Sequence, residues 1–319
     1  MLGIVVVTYK SFDDTVAFVK QVLPKVGIPY RAVIVDLGND VDTAAALAAA
    51  CSAALVTEDN QSSRLTPSSL YLLHVQENLG YARGNNRGAE FLFEICPGLK
   101  WLLFSNNDVE LVNPDAIDVL VRRLEEMPDA AAVGPRIMRL DGSEECQVLR
   151  PLPLVRAMAY NAFFPILNRF GSREQGCILP AGSTYNGACY WLRGCFFIAK
   201  ADDFRQVGMF DPATFLYWEE AILAERFRRI GRCEYFVPEV SITHYAGKTT
   251  EKFLTASSFA RHDQQSLRHY YRDYRGMGAC RLLLFDVSGV VRLALIRLLD
   301  MLRGWRKRPA RSGGRSGAG

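Results

Sequence analysis

The first third of the chain alternates short apolar runs rich in β-branched side chains with stretches of helical period, and few folds accept that rhythm. The runs occupy residues 3–7, 32–36, 71–75 and 101–105. Continuous hydrophobicity over so short a length, bounded by polar residues, marks a strand covered on both faces. Between the first two runs Phe12, Val16, Val19 and Leu23 recur at helical spacing. Strands separated by helices argue for an α/β fold with a mostly parallel central sheet flanked by helices. Ligands on such sheets sit beyond the carboxyl ends of the strands. Thr8, Asp36 and Asp108, which end or follow three of the runs, are therefore expected at one rim.

Further strand patterns occur at 131–137, 190–199 and 234–237. Residues 139–185, rich in Pro, Gly and aromatics, read as a loop or short-helix excursion over the site, the kind of segment that carries substrate selectivity. The polar stretch 57–69 reads as a surface insertion without assigned function. The organisation expected is one domain over 1–255, in halves of about 1–130 and 131–255. A helical, amphipathic extension over 256–307 and a disordered basic tail over 308–319 follow it.

The net charge of +4 is too slight to argue for nucleic acid, and its excess sits in Arg303, Arg306, Lys307, Arg308, Arg311 and Arg315. Eight cysteines without a C-x-x-C pair, and an N-terminus lacking a basic start and cleavage site, predict reduced thiols in a cytoplasmic protein. Residues 282–302 are apolar but interrupted by Asp286, Arg292, Arg297 and Asp300, so no spanning helix is expected. On a helical wheel the charged residues of 281–303 share one half, and Leu283, Leu284, Val287, Val291, Leu295, Leu298 and Leu302 the other. Two readings stay open: an in-plane membrane helix at 281–308 followed by a basic tail, or a terminal helix docked on the main domain.

Ser105-Asn106-Asn107-Asp108 ends an apolar run, so the Asp108 carboxylate and Asn106 amide are candidates for a hard divalent ion; an Asx turn that merely closes the strand is the alternative. Glu219 and Glu220 precede Leu223, Phe227 and Ile230, placing them in the first turn of a helix. The helix dipole alone stabilises carboxylates there by about 0.3–1 kcal/mol. The approach Phe215-Leu216-Tyr217-Trp218 is expected to exclude water and raise a glutamate toward a useful base. His244 follows another extended run and is either a metal ligand or a hydrogen-bonded structural residue. Lys248 is either a phosphate partner or a solvated loop lysine. Residues 77–88 read as a loop opening a helix, with Gly80, Gly84 and Gly88 permitting close backbone approach and Arg83 free for a phosphate. Neither G-x-G-x-x-G nor G-x-x-x-x-G-K-[ST] is present, and a G-x-S-x-G elbow is also missing.

In their order, the motifs at 5–9, 35–40, 77–88, 104–109, 194–200 and 207–226, closed by His244, resemble the family 2 glycosyltransferases of the GT-A fold. The resemblance is particularly to bacterial enzymes of O-antigen, capsule and rhamnan assembly. The resemblance implies a Rossmann-like GT-A domain whose first half binds the sugar donor and whose second half holds the acceptor and catalytic residues. It implies that Thr8, Asp36, Asn78, Arg83, Asn86 and Asn107 line the donor pocket, with Gly194 letting the sugar lie close to the backbone. Asp108, with Asn106 and His244, would hold Mg or Mn on the diphosphate. Glu220 takes the place of the catalytic base and Glu219 is its rival.

The activity so implied is inverting, metal-dependent transfer of a sugar, rhamnose being the preferred donor, from a nucleoside diphosphate to a lipid-linked cell-surface glycan. Its site would be the inner face of the cytoplasmic membrane. The chain departs from the family pattern at Asn106-Asn107-Asp108, where an aspartate pair is usual, and at Ile222, where a further acid is frequent; Leu37 replaces a commoner Asn. A catalytically silent nucleotide-sugar-binding or scaffold subunit is the alternative, against which Asp108, Glu219, Glu220 and His244 are all retained. A nucleotidyltransferase would need a Gly-rich basic loop after the first strand, which Thr8-Tyr9-Lys10-Ser11 does not supply.

Overall fold

A computed structural model describes residues 1–57, 68–167, 174, 176–245 and 255–306. Its main elements are β1 (Leu2–Tyr9), α1 (Phe12–Gln21), β2 (Tyr30–Leu37), α2 (Val41–Cys51), β3 (Ala54–Val56), β4 (Leu70–Val75), α3 (Gly80–Ile95), β5 (Trp101–Asn106), β6 (Val109–Leu111) and α4 (Ala116–Glu126). There follow β7 (Ala130–Arg139), α5 (Leu154–Ala162), α6 (Phe164–Leu167), β8 (Gly187–Cys189), β9 (Phe196–Lys200), α7 (Ala201–Gln206), α8 (Glu219–Arg229), β10 (Cys233–His244), α9 (Ala256–His269) and α10 (Ala279–Arg306). Most of the 57–69 insertion, Lys248 and the 308–319 tail lie outside the described residues.

One sheet runs in the order β3-β4-β2-β1-β5-β9-β7-β10-β6, with β8 also on β10. The strands from β3 to β5 are parallel to their neighbours, as the alternating pattern requires. β9 enters antiparallel between β5 and β7, so the sheet is mixed at its centre. Only part of 190–199 is strand, because Tyr190, Trp191 and Leu192 turn into a separate apolar cluster or the core. The runs on either side of Pro238 form one strand, β10, whose register slips between Val237 and Ser241. Proline has no N–H for the ladder, so the slip falls where a donor is missing.

Both faces are covered, which explains the unbroken apolar runs. Ile4, Val6 and Ile34 pack with Phe18, Leu47 and Leu120 on α1, α2 and α4. Val5, Val33 and Val35 pack with Phe91, Phe204 and Phe227 on α3, α7 and α8. The close approach expected at Gly84 and Gly88 is to the sheet: a Cβ on Gly88 would lie 2.6 Å from Val5 Cγ1, and one on Gly84 3.2 Å from Val7 and Leu37. Their four-residue spacing keeps one small face of α3 against β1 and β2.

The C-terminal helix α10 is docked, but through the half of its wheel that carries the charges. Leu282, Phe285, Ser288, Gly289, Arg292 and Ile296 face inward, against α5 and α9. Arg292 is buried and its Nη1 lies 2.6 Å from Asp263 Oδ2, while Asp286 pairs with Arg268 at 2.9 Å. Leu283, Leu284, Val287, Val291, Leu298 and Leu302 are left exposed. No described helix is long and apolar enough to cross a membrane.

Candidate active site

The strand ends gather the predicted residues at one rim, and β-sheet register does most of the positioning. Thr8 pairs with Asp36, and Asp36 with His74, across β1, β2 and β4. Asp36 is fully buried, which pushes its carboxyl upward against the opposing hydrogen bonds of His74 at 3.3 Å and Asn39 at 2.6 Å. Asn107 donates to Thr15 Oγ1 at 2.8 Å and to Thr8 Oγ1 at 3.2 Å, and Thr15 donates to Thr8 at 2.9 Å. Thr8 and Asn107 thus tie the β5–β6 turn to the start of α1. The side chains of Asn78 and Asn86, expected in the donor pocket, bond within the protein. Asn78 Oδ1 accepts from Gly80 N at 3.0 Å, and the Asn86 amide both donates to Phe210 O (2.8 Å) and accepts from Phe210 N (3.0 Å). Arg83 is exposed on α3.

The turn 106–109 meets the end of β10 because Val109 pairs with His244 in antiparallel register and Tyr245 N donates to Asp108 O at 2.9 Å. His244 Nε2 then lies 3.3 Å from Asp108 Oδ1 and 3.3 Å from Asn106 Nδ2. Its Nδ1 lies 3.2 Å from Glu145 Oε2. Burial alone would lower the imidazole pKa, but Cys195, Asp108 and Glu145 surround it and push it up to about 12. The two carboxylates thus favour a proton on the imidazole, and a divalent cation would compete with it. Asp108 and His244 supply an oxygen and a nitrogen suited to Mg or Mn, and once an ion displaced that proton Glu145 at Nδ1 would hold the Nε2 lone pair toward it. Ligand atoms of Glu145, Cys195 and His244 lie within 4.8 Å of one another, but sulfur is a soft ligand and a poor partner for a hard ion.

The two glutamates open α8 as predicted and have different surroundings. Glu219 is buried, its Oε2 has no partner among the described residues, and burial followed by its neighbour Glu220 pushes it well up. Glu220 is half-buried, is also raised by burial, and accepts from Gly194 N at 3.1 Å. A Cβ on Gly194 would stand 2.4 Å from Glu220 Oε1, so the missing side chain makes room for the carboxylate. The Sγ of Cys195, the next residue, lies within 4.8 Å of a ring nitrogen of His244. Residues 194 and 195 accordingly join Glu220 to the Asp108–His244 pair. Gly194→Ala is expected to leave the melting temperature within a few degrees of the parent while lowering turnover at least tenfold, read by thermal denaturation and initial rates; unchanged turnover would show that Glu220 needs no such space.

Glu145, Cys195 and His74 contact or neighbour the predicted residues and were not singled out from the sequence, and Arg193 stands beside Gly194. Arg193, whose Nη2 holds Glu174 at 2.7 Å, stays charged because Glu174, Glu145 and Glu220 outweigh its burial. No periodicity marks Glu145, which lies in the irregular 139–185 excursion. Adjacency to Gly194 was the one available signal for Arg193 and Cys195.

The loop carrying the glutamates is held from behind. Tyr217 and Trp218 both adopt left-handed backbone angles, φ 69° and 70°, which are unusual for bulky residues. Trp218 Nε1 donates to Asp263 Oδ1 at 2.9 Å, and its ring packs on Trp191 and Tyr270. Gly80, itself at φ 73°, passes so close that a Cβ would collide with Phe215 O.

No family model matches the chain. Over 220 residues it is 27% identical to the N-acetylglucosaminyl-diphospho-decaprenol L-rhamnosyltransferase of Mycobacterium tuberculosis, covering 64% of this chain and 70% of that one. Among solved structures it is similar to the mannosyltransferase PcManGT of Pyrobaculum calidifontis in complex with GDP-Man and Mn2+. That match has a TM-score of 0.53 at 14% identity, over 97% of this chain and 76% of that one. It also resembles GalNAc-T7 with UDP, GalNAc and Mn2+ (TM-score 0.52, 12% identity), covering 86% of this chain and 49% of that one. The chain carries the GT-A glycosyltransferase fold, and the family 2-like resemblance in its motifs is matched by a rhamnosyltransferase relative.

Proposed function

We propose that the protein transfers a sugar, with L-rhamnose the first donor residue to test, from a nucleoside diphosphate to a hydroxyl of a lipid-linked glycan, inverting the anomeric carbon. The observation that carries this reading is the convergence at 194–195 of Glu220 with Asp108 and His244. Glu220 lies where a carboxylate can take the proton of an acceptor hydroxyl. As that proton moves to Glu220, the acceptor oxygen bonds the anomeric carbon and the bond to the diphosphate oxygen breaks, its electron pair leaving with the diphosphate. Gly194 N–H fixes one Glu220 oxygen and leaves the other for the substrate. A bound divalent ion, held by Asp108 and His244 with Glu145 orienting the imidazole, would neutralise the leaving diphosphate. The rhamnosyltransferase relative and the Mn2+-bound fold neighbours support the donor class and the metal. Buried Asp36 stands at the rim for the nucleoside.

Deprotonated Glu220 is the active form and burial raises its pKa, so the acid limb of kcat/KM is expected above the range of an ordinary glutamate, with activity lost as pH falls through it. Rates with dTDP-rhamnose and other nucleotide sugars, with Mn2+ or EDTA, test the reading, and the anomeric configuration of the product by NMR tests inversion. Asp108→Ala is expected to weaken Mn2+-dependent donor binding at least tenfold in calorimetry. Transfer that is unaffected by EDTA and by Asp108→Ala would remove the metal from this site.

A further inference from the structure

The outward face of α10 is apolar over most of the helix. Leu283, Leu284, Val287, Val290, Val291, Leu298, Met301 and Leu302 are each at least 40% exposed. At about 100° per residue they fall in one arc of about 120°, opposite the arc that docks on α5 and α9. Exposed Phe163 and Ile166, at the end of α5 and in α6, extend the apolar surface beside it. The helix docks through Leu282, Phe285 and Ile296 around a buried arginine and still leaves eight large apolar side chains on one continuous outer face, an exposed patch of the kind that marks an interaction surface.

Charge indicates the partner. Arg281 and Arg297 are exposed on this helix and make no ion pair among the described residues. By sequence the chain runs on through Arg303, Arg306, Lys307, Arg308, Arg311 and Arg315 with no acidic residue. Elsewhere the chain has 32 basic against 34 acidic residues, so this end alone makes it cationic. A second copy packed parallel on the same face would bring two such basic ends together, and one packed antiparallel would leave both without a counter-charge. An anionic lipid surface would neutralise one and receive the apolar side chains between its headgroups.

We infer that α10 lies in the plane of an anionic membrane surface with its 283–302 face inserted, and that its inner face carries the catalytic domain. The Asp263 carboxylate links the two, since one oxygen holds Arg292 of α10 and the other holds Trp218, the residue before Glu219. This placement does not depend on the donor or acceptor chemistry.

The test is co-sedimentation of the full chain with phosphatidylcholine vesicles and with equimolar phosphatidylcholine and phosphatidylglycerol vesicles, without donor or acceptor. The parent is expected in the pellet with anionic vesicles and at least tenfold less with neutral ones. Leu284→Glu/Val287→Glu/Leu298→Glu should abolish pelleting with the circular dichroism spectrum intact, and Val112→Glu, an equally exposed apolar position on another face, should bind as the parent does. Three results would overturn the inference: equal pelleting of parent and triple variant, a parent that stays in the supernatant, or a parent dimer in velocity sedimentation that the triple variant splits while neither binds vesicles. Equal binding to neutral and anionic vesicles would overturn its electrostatic half.

Discussion

Glu220→Gln is expected to lower kcat by about 10² to 10⁴ while donor affinity stays within a few-fold, because the amide keeps the shape and the Gly194 contact but cannot accept a proton. Glu219→Gln is the informative control. Glu219 is buried, burial followed by the adjacent carboxylate pushes its carboxyl well up, and its Oε2 has no partner among the described residues, so an amide of the same shape breaks no contact there. Its turnover is expected within about tenfold of the parent. The pair of variants separates the two glutamates: a large loss in Glu219→Gln with a small one in Glu220→Gln would exchange their roles. Single-turnover rates and donor titration in the same samples distinguish lost chemistry from lost binding.

Asp263→Ala is expected to be the most destabilising single change outside the sheet core. It leaves the buried Arg292 guanidinium without its counter-charge and the Trp218 indole without an acceptor. Breaking one side of a buried ion pair costs about 3–5 kcal/mol, far above the effect of a typical surface pair. Asp263→Asn, which keeps an acceptor for the indole, should recover part of the turnover but little of the stability. Urea denaturation gives the stability, and initial rates in the absence of urea give the activity. If Asp263→Ala lost stability but kept full turnover, the strained 217–218 backbone would be held without this contact.

The two variants act on residues of very different visibility in the sequence. Glu220 was legible because carboxylates before an i, i+4, i+7 apolar series must begin a helix, and because the motif order around it resembles a known family. Asp263 and Arg292 were not, since each lies in a helix whose pattern gives no hint of which neighbour it meets. The wheel of α10 put Leu283, Leu284, Val287, Val291, Leu298 and Leu302 on one side, yet nothing in it said that this side would face out and that Arg292 would be buried. Similarly, the glycines at 80, 84 and 88 were visible as a request for close approach, but what approaches is β1, β2 and the Phe215 carbonyl.

The chain by itself determined the parallel half of the sheet, the rim that holds Thr8, Asp36 and Asp108, and the helical start at Glu219. Each follows from local periodicity: a run covered on both faces can only be a buried strand, and such strands point their ends the same way. Tertiary structure decided the rest: that antiparallel β9 brings Gly194 and Cys195 between Glu220 and His244, that Glu145 stands behind the imidazole, and that α10 docks by the arc holding Arg292. Those outcomes depend on contacts between residues tens of positions apart, whose energies come from shape and desolvation at the meeting point, and no local pattern records them.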